Sequence, residues 1–223
     1  MKIIGHRGAR GLAPENTLAS IYKAIEHHVD AIEIDLRVTK DKQVVLHHDK
    51  ALKQPNGEKS NLSELTLREL KEHKPDIVTL SEVIKSVGNN HVFILEIKSF
   101  LDCKEIIKEI KKITSSKFSS DNLLIGSKSQ LALEYMHHEL PTIKKVVIER
   151  WSGVRARRRA KKVNTNIIFM NYHFIWYGYI KSAKLSHLEL YPYAINKPKK
   201  AKRWFKYGIA GVVTDYPDLY EIN

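Results

Sequence analysis

Cysteine is almost absent from this chain: Cys103 is the only one among 223 residues. A lone cysteine excludes an internal disulfide framework and any zinc site built on cysteine, and it fits a reducing compartment. Glycine and proline are scarce as well, at ten and seven, too few for a collagen-like or largely disordered chain. No apolar run approaches the roughly 20 residues that a membrane helix needs. The opening Met1-Lys2-Ile3-Ile4-Gly5-His6-Arg7 breaks its apolar stretch far short of a signal-peptide core. These absences point to a cytoplasmic protein. Acidic residues are outnumbered, 25 Asp and Glu against 38 Lys and Arg, for a net charge of +13. That balance favours anionic partners and says nothing of the fold. With 43% hydrophobic residues there is apolar material for one sizeable core, so a single domain over 1–223 is expected.

What is present is a rhythm. Short apolar, β-branched runs at 2–5, 31–37, 91–97, 122–125, 144–148, 166–170, 188–193 and 208–213 read as strands. Stretches with helical spacing lie between most of them, at 17–28, 103–113, 129–138, 154–162, 177–185 and 198–207. About eight strand–helix units argue for a parallel sheet covered by helices, and a compact (β/α)8 barrel suits the length. A doubly wound open sheet has the same periodicity and stays open as the alternative. One segment breaks the pattern. Residues 43–48 read as an extra strand in a hairpin with the one before it, and 49–76 as a polar insertion with a helix near 62–72.

Charged residues interrupt two of the strands in a regular way. In Ala31-Ile32-Glu33-Ile34-Asp35-Leu36-Arg37-Val38 the apolar side chains take one face while Glu33, Asp35 and Arg37 take the other. In an open antiparallel sheet that polar face would meet water. Inside a barrel it looks into the interior, where two carboxylates ~6–7 Å apart repel by about 2–3 kcal/mol at an effective dielectric near 20. Such a pair asks for a cation or a shared proton. Glu96 and Lys98 share a face of the strand around 93–98 in the same way. They could form a surface ion pair, but they sit at a strand's C-terminal end, the end that carries barrel active sites. Glu33, Asp35 and Glu96 together make an oxygen-rich set suited to Mg²⁺ or Ca²⁺. The first strand runs into Gly5-His6-Arg7-Gly8, and a second histidine stands in His47-His48-Asp49. Two imidazoles beside a carboxylate-bound cation would supply a base, an acid and a Lewis acid, which phosphodiester hydrolysis needs.

Several motifs now occur in order: Gly5-His6-Arg7-Gly8, Pro14-Glu15-Asn16-Thr17, Glu33-x-Asp35, His48-Asp49, Glu96-x-Lys98 and Gly211-Val212-Val213-Thr214-Asp215-Tyr216-Pro217. Together they resemble the glycerophosphodiester phosphodiesterase family, from residue 2 to about 218. The resemblance implies a TIM-type barrel that cleaves glycerophosphodiesters to sn-glycerol 3-phosphate and an alcohol. It implies one divalent cation, Mg²⁺ or Ca²⁺, on Glu33, Asp35 and Glu96, with His6 and His48 as the acid–base pair. Arg7 and Lys98 would neutralise the phosphate, and Glu15 would orient the site from the first loop. Of the histidine doublet, alternation lets one ring face the site, and Asp49 points to His48. The chain departs from the family's pattern at Ser127-Lys128, where a phenylalanine often follows the serine. It departs again at Tyr193-Ala194-Ile195-Asn196, which lacks a tryptophan, and at Lys50-Ala51-Leu52-Lys53-Gln54-Pro55, which lacks an arginine. These positions bear on the leaving group more than on the chemistry.

Much of the positive charge falls in two clusters, 150–162 and 197–206. Solvated helix faces explain them simply. Docking on an anionic membrane, with Trp151 or Trp204 as an interfacial anchor, is the functional alternative, and it would suit a lysophospholipase D-like activity. The chain shows none of the usual nucleic-acid recognition modules.

Overall fold

The structure, a computed structural model, describes residues 1–53, 57, 59–116 and 118–220. Eight parallel strands form its centre: β1 (Lys2–Gly5), β2 (Ala31–Val38), β6 (Phe93–Ile97), β7 (Leu123–Ser127), β8 (Lys144–Glu149), β9 (Ile167–Asn171), β10 (Glu189–Tyr193) and β11 (Gly211–Thr214). They are hydrogen-bonded in the order β10-β9-β8-β7-β6-β2-β1-β11. The two ends of this ribbon meet. Ala210 N donates to Leu190 O at 3.0 Å and Ile195 N to Val213 O at 2.9 Å, which closes the sheet into a barrel. No ladder runs along this last seam, and Pro192 is a physical reason. It faces the same side as Leu190, toward β11, and has no N–H to give. The open-sheet alternative is thereby excluded.

Strands covered on both sides must be apolar on both faces, and these are. Ile4, Ile94, Val146, Ile148, Phe169 and Val213 fill the lower interior. Outward-facing Ile32, Ile34, Leu36, Phe93 and Leu95 meet α1 (Leu18–Glu26), α3 (Leu80–Val87), α4 (Cys103–Ser115) and α5 (Gln130–Glu139). Val147, Ile168, Leu190 and Val212 meet α6 (Gly153–Lys162), α7 (Tyr177–Leu185) and α8 (Pro198–Tyr207) in a second outer cluster. In α4, Ile106, Ile107, Ile110 and Ile113 make the buried stripe while its lysines stay outside. Trp204 is buried beneath α8, only 9% exposed, so it is no interfacial anchor.

The excursion after β2 begins with β3 (Val44–Leu46), antiparallel to β2 in the register Leu36↔Leu46. A ribbon of β4 (Ala51–Lys53) and β5 (Lys59–Asn61) follows, then a 3₁₀ turn at Leu62–Glu64 and α2 (Leu67–His73). The helix expected over 62–72 is thus split. Leu65 is extended, and Thr66 caps α2 in a reciprocal box with Glu69. Of the loop 50–55, Lys50 to Lys53 lead into and form β4, whereas Gln54 and Pro55 lie outside the described residues. Among the described residues no helix is long and apolar enough to cross a membrane.

Candidate active site

His6, Arg7, Glu15, Glu33, Asp35, Glu96 and Lys98 gather at the C-terminal mouth of the barrel, over β1, β2 and β6, and His48 follows β3. Alternation turns Glu33 and Asp35 inward from β2, and the parallel register sets Asp35 beside Glu96 of β6. The three carboxylates are buried, with oxygens within 4.8 Å of one another. Burial and the negative charges of Asp35 and Glu96 push the Glu33 carboxyl well above its ordinary range. Burial acts on Asp35 too, but Lys98 and Arg7 outweigh it and hold this carboxyl far below the usual range. Lys98 Nζ donates to Asp35 at 3.0 Å and to Glu96 at 2.9 Å. The Glu33 carboxylate receives only the Arg7 backbone N–H, at 2.9 Å, among the described residues. A buried hard-oxygen donor set in which burial and the two neighbouring carboxylates push Glu33 toward its neutral form fits a divalent cation.

The turn after β1 is built by its glycines. Gly8 takes φ +78°, and a Cβ there would come within 2.5 Å of Ser20 on α1. Arg7 itself adopts φ +54°, outside the comfortable range for a side chain. This turn aims His6 and Arg7 into the mouth. His6 Nδ1 bonds Asp215 Oδ1 at 2.6 Å, which fixes the tautomer and leaves Nε2 for the cavity the ring lines. Asp215 follows β11, also accepts from Asn196 at 2.8 Å, and forms an ion pair with Arg10 at 2.8 Å. Against burial, these hydrogen bonds hold Asp215 at about 2. Arg7 Nη1 donates to both oxygens of Glu15, at 2.8 and 2.9 Å, and its Nε lies 3.3 Å from Asp35.

The second imidazole repeats the arrangement, with His48 Nδ1 2.7 Å from Asp49 Oδ1. Burial and the charge of Lys98 lower the His48 pKa. Its neighbours in charge are Asp35, Lys98 and Arg7, whereas His47 turns to a groove beside β4 and β5 with Asp49 and Lys50. Only one ring of the doublet faces the mouth.

Beneath the mouth is a cavity of about 90 Å³. His6, Arg7, Glu33, Glu96 and Lys128 form its polar wall; Ile148, Phe169, Tyr193 and Val213 form the apolar one. Several of these roles escape a reading of the sequence. Asn16, 1% exposed, exchanges two hydrogen bonds with Asp35, at 2.9 and 3.0 Å. Asp215 and Asn196 support His6, and Lys128 donates to Glu96 at 3.0 Å. Asn16 and Asp215 stand within the quoted motifs, the one signal that could have found them. Tyr193 and Lys128 are positions at which the chain departs from the family's pattern, and both line the cavity.

Comparison with known proteins agrees with this geometry. The model of the glycerophosphoryl diester phosphodiesterase family matches residues 6–219. A glycerophosphodiester phosphodiesterase of Caldanaerobacter subterraneus subsp. tengcongensis is 26% identical, over 97% of this chain and 94% of that protein. The crystal structure of the Thermotoga maritima glycerophosphodiester phosphodiesterase superposes with a TM-score of 0.80 at 26% identity, covering 98% of this chain and 96% of that one. That of an Oleispira antarctica phosphodiesterase, in complex with the product sn-glycerol-3-phosphate, gives a TM-score of 0.87 at 24% identity, covering 98% and 94%. With a family match running almost end to end and the same barrel in its neighbours, this chain belongs to the glycerophosphoryl diester phosphodiesterase family, enzymes that cleave phosphoric diesters.

Proposed function

We propose that the chain hydrolyses glycerophosphodiesters to sn-glycerol 3-phosphate and an alcohol, using His6 and His48 as its acid–base pair. One observation carries the reading: two imidazoles, each held through Nδ1 by an aspartate, flank three converging carboxylates at one barrel mouth. The product bound by the Oleispira antarctica neighbour supports the glycerol phosphate half. Glu33, Asp35 and Glu96 would hold the Mg²⁺ or Ca²⁺, whose Lewis acidity would draw on a phosphate oxygen and lower the pKa of the attacking water or hydroxyl.

The remaining work belongs to the chain. One imidazole takes a proton from the attacking oxygen while the other delivers one to the leaving alcohol. Asp215 and Asp49 keep each ring in the required tautomer and balance the charge that forms there. Arg7, positioned by Glu15, faces the phosphate from the polar wall, and Lys98 adds positive charge beside the carboxylates. The leaving group then lies along Phe169 and Tyr193. The single, buried Cys103 fits a reducing, cytoplasmic setting. Product analysis with glycerophosphocholine, with and without EDTA, tests the reading. Hydrolysis should vanish with EDTA, return with a divalent cation, and fall about 10²–10⁴-fold in His6→Ala and in His48→Ala. Near wild-type turnover in both variants would refute the acid–base assignment.

A further inference from the structure

The mouth of the barrel is chemically lopsided. Over β1 to β3 it carries exposed carboxylates, Glu15 and Asp49, at 42% and 74% side-chain exposure. Over β7 to β10 it carries none. The segments that leave these four strands, 128–131, 150–155, 172–177 and 194–200, contain no Asp or Glu at all. They contain Lys128, Arg150, Arg155, Lys197, Lys199 and Lys200 instead. Arg155 is taken up by the buried Glu149 and Lys128 by Glu96. Among the described residues, Arg150, Lys197, Lys199 and Lys200 pair with no carboxylate.

Large apolar side chains stand out to solvent between these cations. Trp176 is 69% exposed, Trp151 53% and Phe174 40%. Trp151 and Phe174, from adjacent loops, meet edge to face at 4.7 Å, and the Arg150 guanidinium lies 4.4 Å above the Trp151 ring. Beside them, Lys197, Lys199, Lys200 and Arg203 line a basic groove at the start of α8. The groove's edge is Asn196, the residue that holds Asp215 behind His6. This quadrant also lies directly above the apolar wall of the catalytic cavity, which Ile148, Phe169 and Tyr193 of β8, β9 and β10 provide.

Exposed tryptophans among unpaired cations, without acidic neighbours, match the surface of an anionic bilayer. Such a surface attracts basic side chains and accommodates indole rings at headgroup depth. We infer that the β7–β10 quadrant of the mouth docks on an anionic lipid bilayer and that the enzyme draws from it phosphodiesters bearing an acyl chain. The second half of this inference rests on the phosphodiesterase reading above. The phosphate would reach the polar wall at His6 and Arg7, while the lipid part follows the apolar wall out toward Trp151.

Sedimentation with vesicles tests the docking without any turnover. The protein should bind vesicles of phosphatidylcholine containing about one third phosphatidylglycerol and ignore pure phosphatidylcholine, with binding that weakens as salt rises. The double variant Trp151→Ser/Trp176→Ser should bind at least about tenfold more weakly. Its hydrolysis of water-soluble glycerophosphocholine should stay within about twofold of the parent, while hydrolysis of a lysophospholipid held in the vesicles should fall with the binding. Lys197→Glu/Lys199→Glu, which leaves the aromatic side chains in place, should lose the preference for anionic vesicles. Equal binding to both vesicle types, or none, would overturn the inference. So would a double tryptophan variant that binds undiminished, which would mark the cations as a general polyanion surface such as nucleic acid meets. Vesicle binding that persists while glycerophosphocholine is left intact would instead overturn the phosphodiesterase reading, so the two failures are separable.

Discussion

Glu33 is the least comfortable residue of the mouth: buried, next to two other carboxylates, and served by a single backbone N–H. Its raised pKa means that its charge opposes folding, so stability tied to it is lost as pH rises through the carboxylate range. Glu33→Gln should therefore raise the melting temperature of the metal-free protein at neutral pH. Adding Mg²⁺ or Ca²⁺ to the parent should stabilise it by about 2.7 kcal/mol at a hundred times Kd, and Glu33→Gln should lose that gain. Differential scanning calorimetry with and without metal reads both effects. Asp215 acts one step further back, through the His6 ring. Asp215→Asn should leave the helical circular dichroism unchanged and lower kcat at least about tenfold, by releasing the tautomer that the carboxylate enforces. At this scale the sequence is legible where alternation decides a face, as for Glu33, Asp35, Glu96 and Lys98. Alternation is silent on Asn16, Asn196 and Lys128, whose partners are decided by which strand ends become neighbours.

The elements owe their ends to short-range chemistry that a sequence does carry. Thr17, Thr66 and Thr79 each cap a helix in a reciprocal box with the residue three positions on. Thr79 caps α3, a helix whose Leu80, Val83, Ile84 and Val87 have helical spacing, yet which was not among the helices expected from periodicity. Its first turn follows the polar insertion closely enough to blur the boundary. Thr79→Ala should cost about 1 kcal/mol in a denaturant titration with unchanged m, since the Glu82 N–H of the first turn loses the hydroxyl that accepts it. The eight barrel strands lie within a few residues of the apolar runs, because a parallel strand covered on both faces is itself an unbroken apolar run. The helix expected over 62–72 is broken for the opposite reason. Its apolar spacing continues through Leu65, but the Thr66 cap restarts the chain there.

At the scale of the whole molecule, a buried ion pair ties the sheet to the helices that cover it. Glu149, at the end of β8, is fully buried and bonds Arg155 at 2.8 Å, Arg159 at 3.3 Å and the amides of Arg150 and Trp151. Burial would raise its pKa, but these donors hold it at about 2. A depressed carboxyl lends stability above its unfolded range near pH 4.3, and that stability is lost as pH falls toward 2. Acid unfolding should accordingly remove about 3 kcal/mol through this group between roughly pH 5 and pH 2. Glu149→Gln should lower stability at pH 7, because Arg159 is left buried without its counter-ion, and should flatten the acid limb of the stability curve. Composition and strand–helix alternation alone settled an α/β chain with acidic residues on inward-facing strand positions, because those patterns are local and repeat with the period of the backbone. Barrel closure, the Asp215–His6 bond across 209 residues and the meeting of β2 with β6 were decided only by tertiary structure. They depend on which distant strand ends pack together, and no period of two or 3.6 residues encodes that.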